Sequence, residues 1–125
     1  MSSSLALADE TTPRGRILVV EDDRDTRALL RRWLEDDGYL IDESSTAEDA
    51  LRVAEAGGHA LAMVDVMLPG LGGVELAPKL SIPVLLMSVT EFEDLPEDTP
   101  IAGFLSKPFS RAGLKRAVQQ AMTPR

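Results

Sequence analysis

The stretch LAMVDVMLPG, residues 61–70, places one acid, Asp65, near the end of an apolar run that Pro69 and Gly70 close. A short run that is apolar throughout is typical of a strand buried in a parallel sheet. A carboxylate is costly to desolvate there unless another group pairs with it. Two interpretations follow: Asp65 caps the next turn through its side-chain oxygens, or it acts as a nucleophile or metal ligand.

Strand and helix patterns alternate on both sides of this run. Strands are predicted at RILVV (16–20), YLID (39–42), ALAMV (60–64), PVLLM (83–87) and GFLS (103–106). Amphipathic helices are predicted at 25–38, 44–58 and 110–122, and a short, weak helix containing Pro78 at 74–80. This order predicts an α/β fold, with a parallel sheet covered by helices on both faces.

Local signals give finer expectations. In the first helix, the 3.6-residue period favours an inward stripe of Ala28, Leu29, Trp33 and Leu34. Ser45, three residues before a glutamate, has the spacing of a helix-capping residue. His59 follows two glycines, so we expect it in an exposed loop.

Composition limits the functions that the chain can have. Its 125 residues suit one domain, and the net charge of −8 argues against direct nucleic-acid binding. No apolar run is long enough to span a membrane, and the N-terminus lacks the pattern of a signal peptide. The absence of cysteine fits a cytoplasmic location. Residues 1–15 are expected to form a flexible leader.

Chemically useful side chains follow four of the predicted strands. Glu21, Asp22 and Asp23 follow the first strand, and the others are Asp65, Ser88 and Lys107. Because parallel strands end at one edge of the sheet, we expect these groups to converge there. A divalent cation such as Mg²⁺ would relieve the repulsion among the acids. Taken singly, each has a simpler interpretation: helix-dipole acids, a turn hydroxyl and a surface lysine.

The segments ILVVEDD, MVDVMLPG, LLMS and FLSKPF, in this order, resemble the motifs of the receiver domain of two-component response regulators. The resemblance covers residues 16–122, with 123–125 left as a C-terminal tail. It implies a doubly wound, five-stranded, flavodoxin-like sheet in the order 2-1-3-4-5. The stretch around Pro78 and the acidic segment 91–100 imply shortened third and fourth helices.

The resemblance also implies roles for particular residues. Asp65 would be the phosphoryl acceptor, and Lys107 would meet the phosphoryl group. Glu21 and Asp22 would hold Mg²⁺ together with Asp65 and the backbone carbonyl of Met67. Asp23 would cap a helix.

Three further positions match the family pattern. Two of them are switch residues, which move on phosphorylation in this family, and the third lies in the loop after the lysine. Ser88 would be the switch hydroxyl and Phe104 the aromatic switch residue. Pro108 would follow a cis peptide bond. Leu71-Gly72-Gly73 stands where the family usually has Met-Asp-Gly.

The implied function is a phosphorylation-dependent signalling switch rather than an enzyme with a separate substrate. Its implied partners are a sensor histidine kinase or phosphotransfer protein, which supplies the phosphoryl group, and a downstream protein target. Two alternatives stay open: a docking module that works without phosphorylation, and an aspartyl-phosphate hydrolase of the dehalogenase type. The latter enzymes carry a second acid two residues after the nucleophile, where this chain has Met67. A stand-alone receiver and a fragment of a longer protein also remain possible.

Overall fold

The computed structural model describes residues 13–89 and 101–123. The strands are β1 (Arg16–Val20), β2 (Leu40–Ser44), β3 (His59–Asp65), β4 (Val84–Ser88) and β5 (Gly103–Ser106). The helices are α1 (Arg24–Asp36), α2 (Ala47–Glu55), α3 (Gly73–Leu76) and α4 (Arg111–Met122), with a 3₁₀ turn at Ala77–Lys79. The leader, except residues 13–15, lies outside the described residues, as do 124–125 and the segment 90–100 where a short fourth helix was expected.

All neighbouring strands pair in parallel, in the order β2-β1-β3-β4-β5. The chain therefore starts at an inner strand, extends the sheet to one side, and then crosses to the other side. This arrangement confirms the predicted doubly wound α/β fold. It brings the carboxyl ends of β1 and β3, which are neighbours, to the middle of one sheet edge.

Alternate side chains of the strands fill two separate apolar cores. Ile17 and Val19 point to the face that α1 and α4 cover, whereas Leu18 and Val20 point to the face that α2 and α3 cover. This alternation follows from the two-residue period of a strand. Because both faces are covered, the central strands are apolar throughout, as the sequence indicated.

The inward face of α1 differs from the predicted stripe. Leu30 and Leu34 are the buried residues of this helix, whereas Ala28 and Leu29 are exposed. Leu30 and Leu34 are four residues apart and so lie on one side of the helix, while Leu29 is turned about 100° away from Leu30. The prediction for Ala28 and Leu29 is therefore wrong, and the partly buried Trp33 does pack against the core.

Helix α2 is capped by Thr46, not by Ser45 as predicted. The Thr46 side chain accepts a hydrogen bond of 3.1 Å from the backbone N–H of Asp49. Thr46 has an extended backbone directly before the first helical residue, which is the conformation that a capping residue needs. Strand β2 also runs two residues further than predicted, to Ser44.

His59 is buried, contrary to the predicted exposed loop position. It is the first residue of β3, and its Nε2 atom lies 2.8 Å from Oδ2 of Asp42 on β2. Arg16, on the strand between them, also pairs with Asp42 at 3.3 Å. The imidazole is thus covered at the amino end of the sheet, opposite the edge that carries the predicted site.

The shortened third helix is confirmed, because α3 has four residues and gives way to the 3₁₀ turn that contains Pro78. The apolar side of α4 faces the core, as the amphipathic pattern of residues 110–122 predicted, and consists of Leu114, Ala117, Val118, Ala121 and Met122. Within the part of the chain that the structure describes, no helix has the length and apolar character needed to cross a membrane.

Candidate functional site

Three carboxylates meet at the carboxyl edge of the sheet. Glu21 and Asp22 follow β1, and Asp65 is the last residue of β3. One oxygen from each carboxylate lies within 4.8 Å of the others. Glu21 and Asp65 are buried, whereas Asp22 is exposed. The cluster is therefore anchored inside the protein and open to solvent on the side of Asp22.

Lys107 joins two of these acids although it is far from both in sequence. Its Nζ atom donates a hydrogen bond to Oδ2 of Asp65 at 2.9 Å and another to Oε1 of Glu21. The backbone N–H of Lys107 donates to the carbonyl of Ser88 at 2.7 Å, which ties the start of the loop to the end of β4. The Lys107–Pro108 peptide bond is cis, as predicted.

The two oxygens of the Asp65 carboxylate have different partners. Oδ1 accepts a hydrogen bond from the backbone N–H of Met67 at 2.9 Å, so the side chain does cap the following turn. Oδ2 faces Lys107. Because both oxygens have hydrogen-bond partners, the carboxylate has a fixed orientation within the cluster.

Gly73 packs directly against the backbone of Asp65. A Cβ atom at this position would lie 2.3 Å from the carbonyl oxygen of Asp65, closer than atoms can approach. The N–H of Gly73 donates to the carbonyl of Val66 at 3.1 Å. Only glycine lets α3 begin so close to the end of β3, so the change from Met-Asp-Gly to Leu-Gly-Gly keeps the glycine that the packing requires.

The turn between β1 and α1 is held by several hydrogen bonds. The N–H of Glu21 donates to the carbonyl of Ser44 at 3.0 Å, and Oε2 of Glu21 accepts from the N–H of Asp23 at 3.1 Å. Asp23 caps α1, as predicted, by accepting from the N–H of Thr26 at 2.9 Å. Nη1 of Arg27 donates to the carbonyl of Glu21 at 2.8 Å, a contact that the sequence did not predict.

Burial and the ion pairs shift the pKa values in this cluster. Burial raises the pKa of Glu21 to about 7, although its hydrogen bond with Lys107 acts in the opposite direction. Burial would lower the pKa of Lys107, but the hydrogen bonds and charges of Glu21 and Asp65 outweigh it, so the pKa is raised. A second cation beside the acids would favour ionised Glu21. The carboxylate donors have the hard-oxygen chemistry that Mg²⁺ prefers, and the cluster fits that ion.

The remaining candidate residues lie around the cluster. Ser88 is buried at the end of β4, on the strand next to β3. Phe104 lies on β5 and packs, partly buried, against the core on the α2 and α3 side. The side chain of Met67 is 71% exposed beside Asp65. The structure thus brings Glu21, Asp22, Asp65 and Lys107 together. The remaining three candidates lie on β4, on β5 and in the turn after β3.

Comparison with known proteins agrees with this architecture. Residues 17–119 match the response regulator receiver domain, and the chain belongs to this family. The fold is that of the Vibrio cholerae chemotaxis protein CheY4, with a TM-score of 0.81 at 21% identity, over 86% of this chain and 98% of that one. This likeness concerns the fold alone.

Two curated relatives are longer than this chain. The transcriptional regulatory protein PdtaR of Mycobacterium tuberculosis is 32% identical over 124 residues, which cover 93% of this chain and 60% of PdtaR. The uncharacterized transcriptional regulatory protein YkoG of Bacillus subtilis is 31% identical over 119 residues, covering 87% of this chain and 51% of YkoG. The chain thus spans about half to three fifths of the length of these relatives.

Proposed function

We propose that this receiver domain, residues 16–122, accepts a phosphoryl group on Asp65 from a phosphohistidine of a sensor histidine kinase or phosphotransfer protein. The observation that carries the proposal is the contact of Asp65 with Lys107 beside the carboxylates of Glu21 and Asp22. A structural salt bridge would need only one acid for the lysine. Here two acids share one lysine and the carboxylate of Asp22 lies within 4.8 Å of both, so negative charge is left that a metal ion can neutralise.

The chemistry is an in-line transfer between two nucleophiles. A carboxylate oxygen of Asp65 forms the new O–P bond while the P–N bond to the donor imidazole breaks, and the imidazole nitrogen takes a proton. Mg²⁺, held by Glu21, Asp22, Asp65 and the Met67 carbonyl, would supply positive charge to the phosphoryl oxygens. Lys107 is already within hydrogen-bond distance of Asp65 and would stabilise the same charge.

The signal would then pass from the site to the protein surface. An acyl phosphate at Asp65 adds negative charge and new acceptor oxygens close to the end of β4. The Ser88 hydroxyl would bond one of these oxygens, and Phe104 on β5 would turn inward behind it. The surface around β5 and α4 would change and bind a downstream protein.

Acetyl phosphate labelling with Mg²⁺, followed by intact mass spectrometry, tests this proposal. We expect a gain of one phosphoryl group that is absent with a chelator and absent in Asp65→Asn, which keeps the side-chain shape but loses the nucleophile. Asp25→Asn is the matched control, because Asp25 is an exposed acid in the first turn of α1. We expect it to label like the unmodified protein.

A phosphoryl gain that persists in Asp65→Asn would assign the acceptor to another residue. No gain at all, from acetyl phosphate or from a histidine kinase, would overturn the proposal and favour a docking module that works without phosphorylation. Steady release of phosphate from a phosphomonoester would favour the hydrolase alternative.

A further inference from the structure

Arg27 connects the acidic turn to the neighbouring strand. Its Nη1 atom donates to the carbonyl of Glu21 at 2.8 Å, and its Nε atom donates to Oε1 of Glu43 on β2 at 3.1 Å. The Arg27 side chain is 20% exposed, so most of it is withdrawn from water. Glu43 also pairs with Arg31, which holds the acceptor of Arg27 in place.

These contacts hold the peptide groups on both sides of Glu21. The preceding peptide donates its N–H to the carbonyl of Ser44, and the following peptide gives its carbonyl to Arg27. The peptide between Glu21 and Asp22 also contains the nitrogen of Asp22, so the orientation of this peptide sets the position of the Asp22 Cα and the direction of its side chain. Asp22 is the exposed member of the acidic cluster and has the most freedom to leave it.

We propose that Arg27 is a positioning residue for cation binding: it fixes the peptide between Glu21 and Asp22 so that both carboxylates converge with Asp65. A charged hydrogen bond to a largely buried carbonyl is stronger than a neutral one and gives a defined direction. This inference rests on the proposed function, because it concerns Mg²⁺ at the site where Asp65 would be phosphorylated.

Arg31 provides a matched control one turn further along α1. It also pairs with Glu43 and carries the same charge, but its other ion pair is with Glu35 on its own helix and not with the acidic turn. Arg27→Gln and Arg31→Gln each remove one positive charge and one partner of Glu43. Only Arg27→Gln removes the hydrogen bond to the Glu21 carbonyl.

The experiment measures the Mg²⁺ dissociation constant of each protein by titration calorimetry, without any phosphodonor. Outer-shell groups typically change metal affinity about 10- to 100-fold, so we expect Arg27→Gln to weaken binding by about tenfold or more. We expect Arg31→Gln to stay within about twofold. Arg27→Lys keeps the charge but cannot form the same two-way contact, so it should recover only part of the affinity.

Acetyl phosphate labelling separates positioning from a general loss of structure. Arg27→Gln should need more Mg²⁺ for half-maximal labelling, while its rate at saturating Mg²⁺ stays within about twofold of the unmodified protein. Urea unfolding in chelator shows whether each variant is folded. If Arg27→Gln is not folded, Arg27→Lys takes its place, with an expected loss of affinity of about threefold or more.

Unchanged Mg²⁺ affinity in Arg27→Gln would overturn the inference, and so would an equal loss in Arg31→Gln. The inference would also be contradicted if Arg27→Gln lowered the maximal labelling rate without changing the Mg²⁺ concentration needed for half-maximal labelling. In each of these cases the unmodified protein binds Mg²⁺, and the proposed function stands. If the unmodified protein does not bind Mg²⁺, the metal-dependent part of the proposed function fails and the inference falls with it.

Discussion

The substitution Glu21→Gln should make the Mg²⁺-free protein more stable at neutral and alkaline pH. Glu21 is fully buried, and its pKa is raised from 4.5 to about 7, mainly by burial. The folded state therefore holds the Glu21 proton more tightly than the unfolded chain does. The stability that this proton contributes is complete below pH 4.5 and is lost as the pH rises through about 7.

The size of the effect follows from the pKa difference. A difference of about 2.5 pH units corresponds to about 3 kcal/mol of unfolding free energy at about 1.4 kcal/mol per unit. Most of this loss, about 2 to 3 kcal/mol, falls between about pH 5 and about pH 8. Glutamine keeps the shape of the neutral carboxyl group but cannot ionise, so the variant should lack this part of the pH dependence.

Urea unfolding in chelator, followed by tryptophan fluorescence, gives the required free energies. Trp33 is the single tryptophan of the chain and packs against Phe109 with ring centroids 6.2 Å apart. From about pH 5 to about pH 8, we expect the unfolding free energy of Glu21→Gln to rise by about 2 to 3 kcal/mol relative to that of the unmodified protein. Glu55→Gln, at an exposed position, is the control and should give a difference that hardly changes with pH.

Parallel pH profiles for Glu21→Gln and the unmodified protein would refute the reasoning. They would mean that Glu21 ionises in the folded state as readily as in the unfolded chain. If the unfolding free energy of Glu21→Gln instead fell relative to that of the unmodified protein as the pH rose, the reasoning would also be refuted, because that result would require a lowered pKa of Glu21.

Three further predictions follow from the same geometry. Below about pH 7 the Mg²⁺ affinity should fall by up to about tenfold per pH unit, because Glu21 must lose its proton to bind the ion. Titration calorimetry at several pH values measures this affinity, and an affinity that does not change with pH would contradict the prediction. Gly73→Ala should lower the unfolding free energy by about 3 kcal/mol, because its Cβ would meet the Asp65 carbonyl, and an unchanged urea midpoint would disprove that contact. His59→Ala should cost about 2 kcal/mol in the same assay, because it empties a buried position and removes the bond to Asp42, and a neutral result would place the imidazole at the surface.

Matched substitutions separate these effects from general ones. Gly113→Ala introduces a Cβ inside helix α4, where the nearest atom is the Ser110 hydroxyl at 3.2 Å, and should change stability by no more than about 1 kcal/mol. Arg16→Gln removes the partly exposed partner of Asp42, and we expect a loss of unfolding free energy below about 1 kcal/mol, as for other ion pairs near the surface.

The strand pattern was predictable because burial on both faces leaves a direct mark on the sequence. The predicted limits of β1 and β5 match the structure residue for residue, and the ends of these strands led to Glu21 and Lys107. That these ends lie at one edge of the sheet followed from the parallel topology, and the strand order came from the family resemblance. The position of the candidate site could therefore be inferred before any distance was known.

The errors fall where neighbouring residues offer the same signal. Ser45 and Thr46 can both cap a helix, and Leu29 and Leu30 can both point inward, so the choice depends on the backbone phase that packing sets.

The burial of His59 was not predictable because its partner, Asp42, is 17 residues away on another strand. Arg27 was missed because an arginine in a charged helix gives no sign that it reaches a carbonyl in the preceding turn. Its place six residues after Glu21, in the second turn of α1, is the signal that could have suggested it.

The central claim is that Asp65 forms an acyl phosphate, and its chemical reduction tests this most directly. Borohydride reduces an aspartyl phosphate to homoserine with loss of phosphate, and peptide mass spectrometry locates the altered residue. After treatment with Mg²⁺ and acetyl phosphate, we predict homoserine at position 65 and not in the chelator control. A phosphoryl group that resists reduction, or homoserine at another aspartate, would contradict the account.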